Sequence, residues 1–230
     1  MDLHIQNRIR CQSRDALFVK SIQFVDSTMK ELGIKYHVIG SCALQSYLEF
    51  FIRVPNDLDI VMSSEDMKSL FSWSMAQSVP IVTELGRAKM VLNTLPVHVI
   101  FDRMQLIDTS MNIIFSTLDV SFGNTKLFSK PVSLLDAEVH PIISVPALEV
   151  LLAIHILRPI DTNDISLLRR VLSDCKIDPK TLTDFILRHP DLVDIYKARV
   201  LMISRLLKKM GGLAEARRFD SLTDALQRNL

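Results

Sequence analysis

The sequence predicts an α+β chain: a mixed β-sheet with helices on one side over residues 1–145, then a C-terminal helical region over residues 146–230. Three observations predict it. Between Tyr36 and Phe101, short apolar runs rich in β-branched residues alternate with segments of helical period, giving the order β-α-β-α followed by successive strands. Turn residues punctuate that stretch at Gly40, Gly86 and Asn93-Thr94. Beyond Pro146 the strand signal stops, and helical periodicity continues to the C-terminus.

Composition sets the bounds. The chain has 230 residues, long enough for one ordinary domain and a smaller one, and its 48% hydrophobic content supplies a core. A formal net charge of +1 argues against strong overall attraction to nucleic acid and leaves only a local basic face open. Cys11, Cys42 and Cys175 are scattered and odd in number, without C-x-x-C spacing, so neither a zinc site nor a disulfide framework is expected. With no secretory leader and no apolar run of spanning length, a cytoplasmic protein without a membrane partner is expected.

Met1 to Ser13 is polar and basic and is expected to be loosely ordered. From Asp15 to Leu32, Leu17, Phe18, Ile22, Phe24, Val25 and Met29 predict an amphipathic helix that Gly33 stops. The stretch that follows organises the chain. Tyr36 to Ile39 reads as a strand ending at Gly40 and Ser41, and a helix capped by Ser41 follows with Leu44, Tyr47, Leu48 and Phe51 on one face. After Arg53, Pro55 and Asn56, a second strand, LDIVM, carries Asp57 and Asp59 at its mouth. Strand alternation puts these two carboxylates on one side, about 7 Å apart along the backbone.

Such a pair converges readily on a hard cation. Mg²⁺ favours a few carboxylates plus substrate phosphates over a complete protein cage. Unpaired N–H groups at a helix start suit phosphate oxygens, and glycine lets the backbone come close to them. The plainer reading makes Gly40 a turn and the aspartates the wet side of a half-buried strand. Order and spacing together favour the functional one.

These residues carry a family resemblance. The run G-S-x-A-L from Gly40 and R-x-P-x-D-L-D-I from Arg53 resemble the signature of the nucleotidyltransferase fold of the DNA polymerase β superfamily, and look closest to its AbiEii-type branch, known from toxin–antitoxin pairs. Pro55 stands where that branch commonly has threonine. The resemblance implies a metal-dependent enzyme that moves a nucleoside monophosphate from an NTP to a hydroxyl acceptor. Asp57 and Asp59 would hold Mg²⁺ or Mn²⁺, while Gly40, Ser41 and Arg53 would contact the nucleotide. RNA such as tRNA, a protein hydroxyl and a small molecule are the implied acceptor classes.

The superfamily usually adds a third carboxylate on a later strand. Here the matching strand, PVHVIFD, places His98 at that position, and Asp102 lies on the same side about 13 Å further along. Imidazole can act as a base near neutral pH but is a poor Mg²⁺ ligand, and a packed sheet residue is the plain alternative for His98.

The remaining elements follow in order. Ser63 or Ser64 caps a helix through Met67, Leu70, Phe71 and Met75, with Glu65 and Asp66 in its first turn. Strands are expected at Ile81–Leu85, Lys89–Leu92 and Val97–Phe101, and then a hairpin of Ile113–Phe122 with Lys126–Leu127 around Gly123-Asn124. Leu148, Leu151, Leu152 and Ile156 mark a buried helix ended by Arg158-Pro159, and Asp161 or Thr162 caps the next.

Arg158, Asp161 and Asp164 also resemble the AbiEii-type pattern R-x-x-D with a second acid, which implies that Arg158 and Asp161 contact the nucleotide. The lysine that precedes them in the family is missing, since none occurs between Lys130 and Lys176. Capping of the helix start explains Asp161 and Asp164 equally well. Asp178-Pro179 opens a further helix, His189-Pro190 breaks it, and Leu192 to Met210 forms a long helix that Gly211-Gly212 stops. Its Arg199, Arg205, Lys208 and Lys209 read either as an RNA-guiding surface or as a solvated face. Missing the third carboxylate and the lysine, the chain has a second reading: a catalytically degenerate nucleotidyltransferase fold that binds a nucleotide or a partner without turnover.

Overall fold

The computed structural model describes residues 3–48, 52–84, 87–101, 107–108, 113–114, 125–127, 132–134, 137–139, 144–158 and 160–228. They divide into two compact units, one of Met1–Cys42, Glu49–Asp102 and Thr125–Val145, the other of Ala43–Leu48, Arg103–Asn124 and Pro146–Leu230. The chain is α+β, with a mixed five-stranded sheet ahead of a run of helices.

In the first unit, helix α1 (Leu3–Glu31) takes in most of the segment expected to be loosely ordered. Gln6, Arg8 and Arg10 are good helix formers, and neither glycine nor proline interrupts residues 1–32. Its buried stripe is Phe18, Val19, Ile22, Val25 and Met29, whereas Leu17 and Phe24, expected on that face, are exposed. Gly33 ends the helix at φ +68°, with its N–H on the Lys30 carbonyl and that of Ile34 on the Met29 carbonyl. Those are the two bonds of a Schellman stop, and its left-handed residue favours glycine.

The strands β1 (Tyr36–Ile39), β2 (Leu58–Met62), β3 (Ile81–Glu84), β4 (Arg87–Leu92) and β5 (Leu95–Phe101) pair in the order β1-β2-β5-β4-β3. Only β2 and β5 run parallel; the other neighbours are antiparallel. β3, β4 and β5 match the expected runs with small changes of length. Asn93 and Thr94, both at positive φ, form the two-residue link that pairs Leu92 with Leu95. A turn left-handed at both centres fits the twist of a hairpin. Helix α1 packs against β4 and β5, and its Ser21 hydroxyl donates to the Asn93 carbonyl at 2.8 Å. Side chains alternate across the sheet: Ala88, Met90 and Leu92 are buried, while Lys89 and Val91 are exposed.

Helix α2 (Gly40–Ser46) begins one residue before the cap expected at Ser41, because Gly40 itself makes the bend at φ +71°. It ends before Tyr47 and Leu48, whose N–H groups bond three residues back to Leu44 and Gln45 in a tightened last turn. Helix α3 (Ser64–Ala76) is capped by Ser63, whose hydroxyl oxygen accepts from the Asp66 N–H at 3.0 Å. Met67, Leu70 and Ser74 are buried; Phe71 and Met75, though spaced with them along the helix, lie exposed.

Of the hairpin expected after Asp102, only Ile113–Ile114 and Lys126–Leu127 fall among the described residues, and there they take other partners. Strand β6 (Ile107–Asp108) pairs with β7 (Ile113–Ile114), and β8 (Thr125–Leu127) with β11 (Ser144–Pro146), while β9 (Val132–Leu134) pairs with β10 (Ala137–Val139). Phe51, Gly86, Asp102 and the Gly123-Asn124 turn lie outside the described residues.

In the second unit, helix α4 (Leu148–Leu157) is buried nearly all round and packs against α6 (Pro179–Leu187) and α7 (Val193–Lys209). Apolar residues on every side make it the core of this unit. Helix α5 (Thr162–Asp174) starts on a reciprocal cap: the Asp164 N–H donates to Asp161 at 2.7 Å, and the Asp161 N–H to Asp164 at 3.2 Å. Asp178 caps α6 ahead of Pro179, and a short turn, Pro190–Leu192, follows the expected break. On α7, Val193, Tyr196, Val200, Ile203 and Leu207 form a buried seam, and α7 packs along α8 (Leu213–Arg228). Leu201 is exposed. Of the basic residues on α7, Lys208 is paired with Asp220 at 3.0 Å. Among the described residues no helix is long and apolar enough to cross a membrane.

Candidate functional site

The first unit brings the end of β1, the mouth of β2 and the middle of β5 to one place. In the sheet register Ile39 lies opposite Asp59 on one side, and His98 lies opposite Asp59 on the other. Gly40 therefore turns away from the sheet directly beside the Asp59 side chain. A Cβ built on Gly40 would fall 2.4 Å from Asp59 Oδ2 and 3.3 Å from its Cβ and Cγ. Glycine is required here twice over, by the positive φ and by the carboxylate lying where a side chain would start.

Asp59 is thus held between two neighbours. Its Oδ2 lies against Gly40, and its Oδ1 is 3.3 Å from His98 Nδ1. The same imidazole nitrogen is 3.4 Å from Asp57 Oδ2. One donor atom from each of Asp57, Asp59 and His98 lies within 4.8 Å of the others, and all three residues are half-buried. The carboxylates expected to share a side do so, and the residue that joins them is the imidazole aligned with the family's third carboxylate.

The acids dominate the local electrostatics. His98 is held above the ordinary imidazole range, first by its hydrogen bond to Asp59, against partial burial, and also by the charges of Asp59 and Asp57; Lys89 opposes the shift. Cys42 is fully buried nearby, and burial together with the charges of Asp59 and Asp57 pushes its thiol up to about 12.

The remaining expected site residues are placed as follows. Ser41 is half-buried in the first turn of α2, and Arg53 is exposed in the link between α2 and β2. In the second unit Arg158 donates to Asp164 Oδ1 at 3.1 Å, and Asp161 caps α5. His155, buried on α4, has Nε2 3.5 Å from the same Asp164 oxygen. These bonds tie the end of α4 to the start of α5.

Lys89 was not singled out from the sequence. It lies opposite His98 on the far side from Asp59, so that Asp59, His98 and Lys89 form a row across three adjacent strands. It is exposed and enters no ion pair among the described residues. The signal for it was present: a two-residue turn at Asn93-Thr94 fixes the register of the hairpin, and that register sets Lys89 across from His98.

No family model matches the chain, and no curated protein matches it. Among solved structures it is similar to the antibiotic-resistance factor ANT(2'')-Ia in solution, at 10% identity over 87% of this chain and 96% of that one, with a TM-score of 0.42. The crystal structure of ANT(2'')-Ia in complex with adenylyl-2''-tobramycin matches at 10% identity over 88% and 97%, with a TM-score of 0.37. An antigenic nucleotidyltransferase-like protein from Paracoccidioides brasiliensis matches at 13% identity over 80% and 93%, with a TM-score of 0.43.

Chemically, two half-buried carboxylates and an imidazole around one point suit a divalent cation. A row that passes from acids through His98 to a free ammonium also suits a ligand carrying both a cation and negative oxygens.

Proposed function

We propose that this chain is a metal-dependent nucleotidyltransferase, moving a nucleoside monophosphate from an NTP to a hydroxyl acceptor. The observation that supports the reading is the Asp59 carboxylate, fixed between Gly40 and His98 with Asp57 on the same imidazole nitrogen. Asp57 and Asp59 would hold the divalent ion, which neutralises phosphate charge when bound. Gly40 and Ser41 lie at the bend where the backbone can approach phosphate oxygens, and Lys89 adds a cation on the same face of the sheet.

In the reaction the acceptor oxygen bonds to the α-phosphorus, the bond from that phosphorus to the bridging oxygen breaks, pyrophosphate leaves, and the hydroxyl proton passes to solvent. The chain's task is positioning and charge placement, which supply most of phosphoryl-type catalysis.

A second reading, nucleotide binding without turnover, is favoured by His98 in place of a third carboxylate. Label transfer from radiolabelled NTPs to tRNA, protein and small-molecule hydroxyls, with Mg²⁺ or Mn²⁺, separates the two. Transfer that vanishes in the Asp57→Asn, Asp59→Asn double variant supports the enzyme. Transfer unchanged in that variant sinks the metal site, and nucleotide binding without transfer in the wild type favours the second reading.

A further inference from the structure

We propose that His98 gives this site a preference for a first-row transition ion of the Mn²⁺ class over Mg²⁺, an inference that rests on the metal site of the preceding reading.

The donor set is two carboxylate oxygens and one imidazole nitrogen, not three oxygens. His98 Nδ1 lies 3.3 Å from one acid oxygen and 3.4 Å from the other, so the nitrogen that faces the acids is itself a first ligand. At metal–ligand distances of about 2.1 Å, neighbouring donors around a six-coordinate ion stand about 3 Å apart, close to the two separations between His98 and the acids, while all three donors lie within 4.8 Å of one another. Distance alone would also admit the larger Ca²⁺. Chemistry separates the three ions by degree: all accept carboxylate oxygen, and Mn²⁺, although the least nitrogen-seeking of the first-row transition ions, takes an imidazole more readily than Mg²⁺ or Ca²⁺.

The backbone that carries the imidazole is fixed beside the acids. His98 sits in mid-strand with Val97 and Val99 fully buried on either side of it, and its register opposite Asp59 is fixed by the parallel pairing of β2 and β5. An ion held by both acids meets that nitrogen.

The test titrates the full chain separately with Mn²⁺, Mg²⁺ and Ca²⁺ by calorimetry, for wild type and His98→Asp. The wild type is expected to bind Mn²⁺ about tenfold or more tightly than Mg²⁺, and His98→Asp to shrink that ratio by about the same factor by restoring an oxygen donor. A pulsed electron-spin experiment on the Mn²⁺-loaded wild type gives a readout that needs no variant, because a directly bound imidazole imposes nitrogen modulation on the signal. Equal Mn²⁺ and Mg²⁺ affinities, a ratio that His98→Asp leaves untouched, or no nitrogen modulation would each overturn the inference while leaving nucleotidyl transfer standing. No binding of any of the three ions by the wild type would overturn both.

Discussion

Replacing Gly40 by alanine tests the geometry on which the site depends. The added methyl would lie 2.4 Å from Asp59 Oδ2, about 1 Å inside ordinary contact, and residue 40 would remain at φ +71°. A left-handed alanine costs about 1–2 kcal/mol by itself. Relieving the overlap forces the carboxylate off its place beside His98, adding roughly another 1 kcal/mol. The expected total of about 2–3 kcal/mol lowers the melting temperature by roughly 5–10 °C in a chain of this size. Thermal unfolding measures it, and Mn²⁺ titration of the same variant should show at least a tenfold loss of affinity.

A double-mutant cycle divides the two causes. In an Asp59→Ala background the overlap with Oδ2 is gone, leaving the backbone strain and the 3.3 Å approach to the residual Cβ, so Gly40→Ala should cost about 1 kcal/mol less there. Equal costs in both backgrounds, or unchanged metal affinity in the single variant, would refute the placement of Asp59 against Gly40.

Three further outcomes are expected. Because the folded protein holds His98 above its ordinary value near 6.5, its contribution to stability is fully present below that pH and is lost as pH rises through the elevated value. Metal affinity runs the opposite way, since ligation needs the nitrogen free of its proton. Denaturant unfolding and Mn²⁺ titration across pH 5–9 check both trends, and His98→Asn should flatten them. Lys89→Met should weaken NTP affinity about tenfold with little change in Mn²⁺ affinity measured without nucleotide, as expected if the ammonium meets phosphate rather than the ion. Asp161→Ala removes the acceptor for the Asp164 N–H and should destabilise the chain by about 0.5–2 kcal/mol in urea unfolding. A larger loss in nucleotide affinity than in stability would instead return Asp161 to the nucleotide site.

The parts of this fold legible in the sequence are those governed by local chemistry. Gly33 and Gly211 stop helices because the left-handed stop favours glycine, and Asp161 and Asp178 start them because a short carboxylate side chain reaches back to the next free N–H. Strands β1 and β2 were readable from apolar runs bounded by turn residues. The juxtaposition of Gly40 with Asp59 followed from the family-like motif, and the place of His98 beside the acids from its alignment with the strand PVHVIFD. Periodicity could not tell which apolar side chains find partners: Leu17, Phe24, Phe71 and Met75 fit helical spacing yet lie exposed. Pairing between distant segments was also illegible, because short strands such as β7 and β8 carry too few residues to specify a neighbour. Lys89 escaped notice because its meaning lies across the sheet, two strands from the acids, rather than in any motif along the chain.

Asp59 spends one oxygen on His98 and presses the other against Gly40, so the protein offers an incoming ion three donors, fewer than the six that hard divalent ions take. Vacant positions of that kind are completed by phosphate oxygens or water. On the proposed reading, ion and nucleotide are then each other's cofactor. Whatever factor the nucleotide adds to the ion's affinity, the ion must add to the nucleotide's, and a cell's supply of one sets how much of the other the chain can retain.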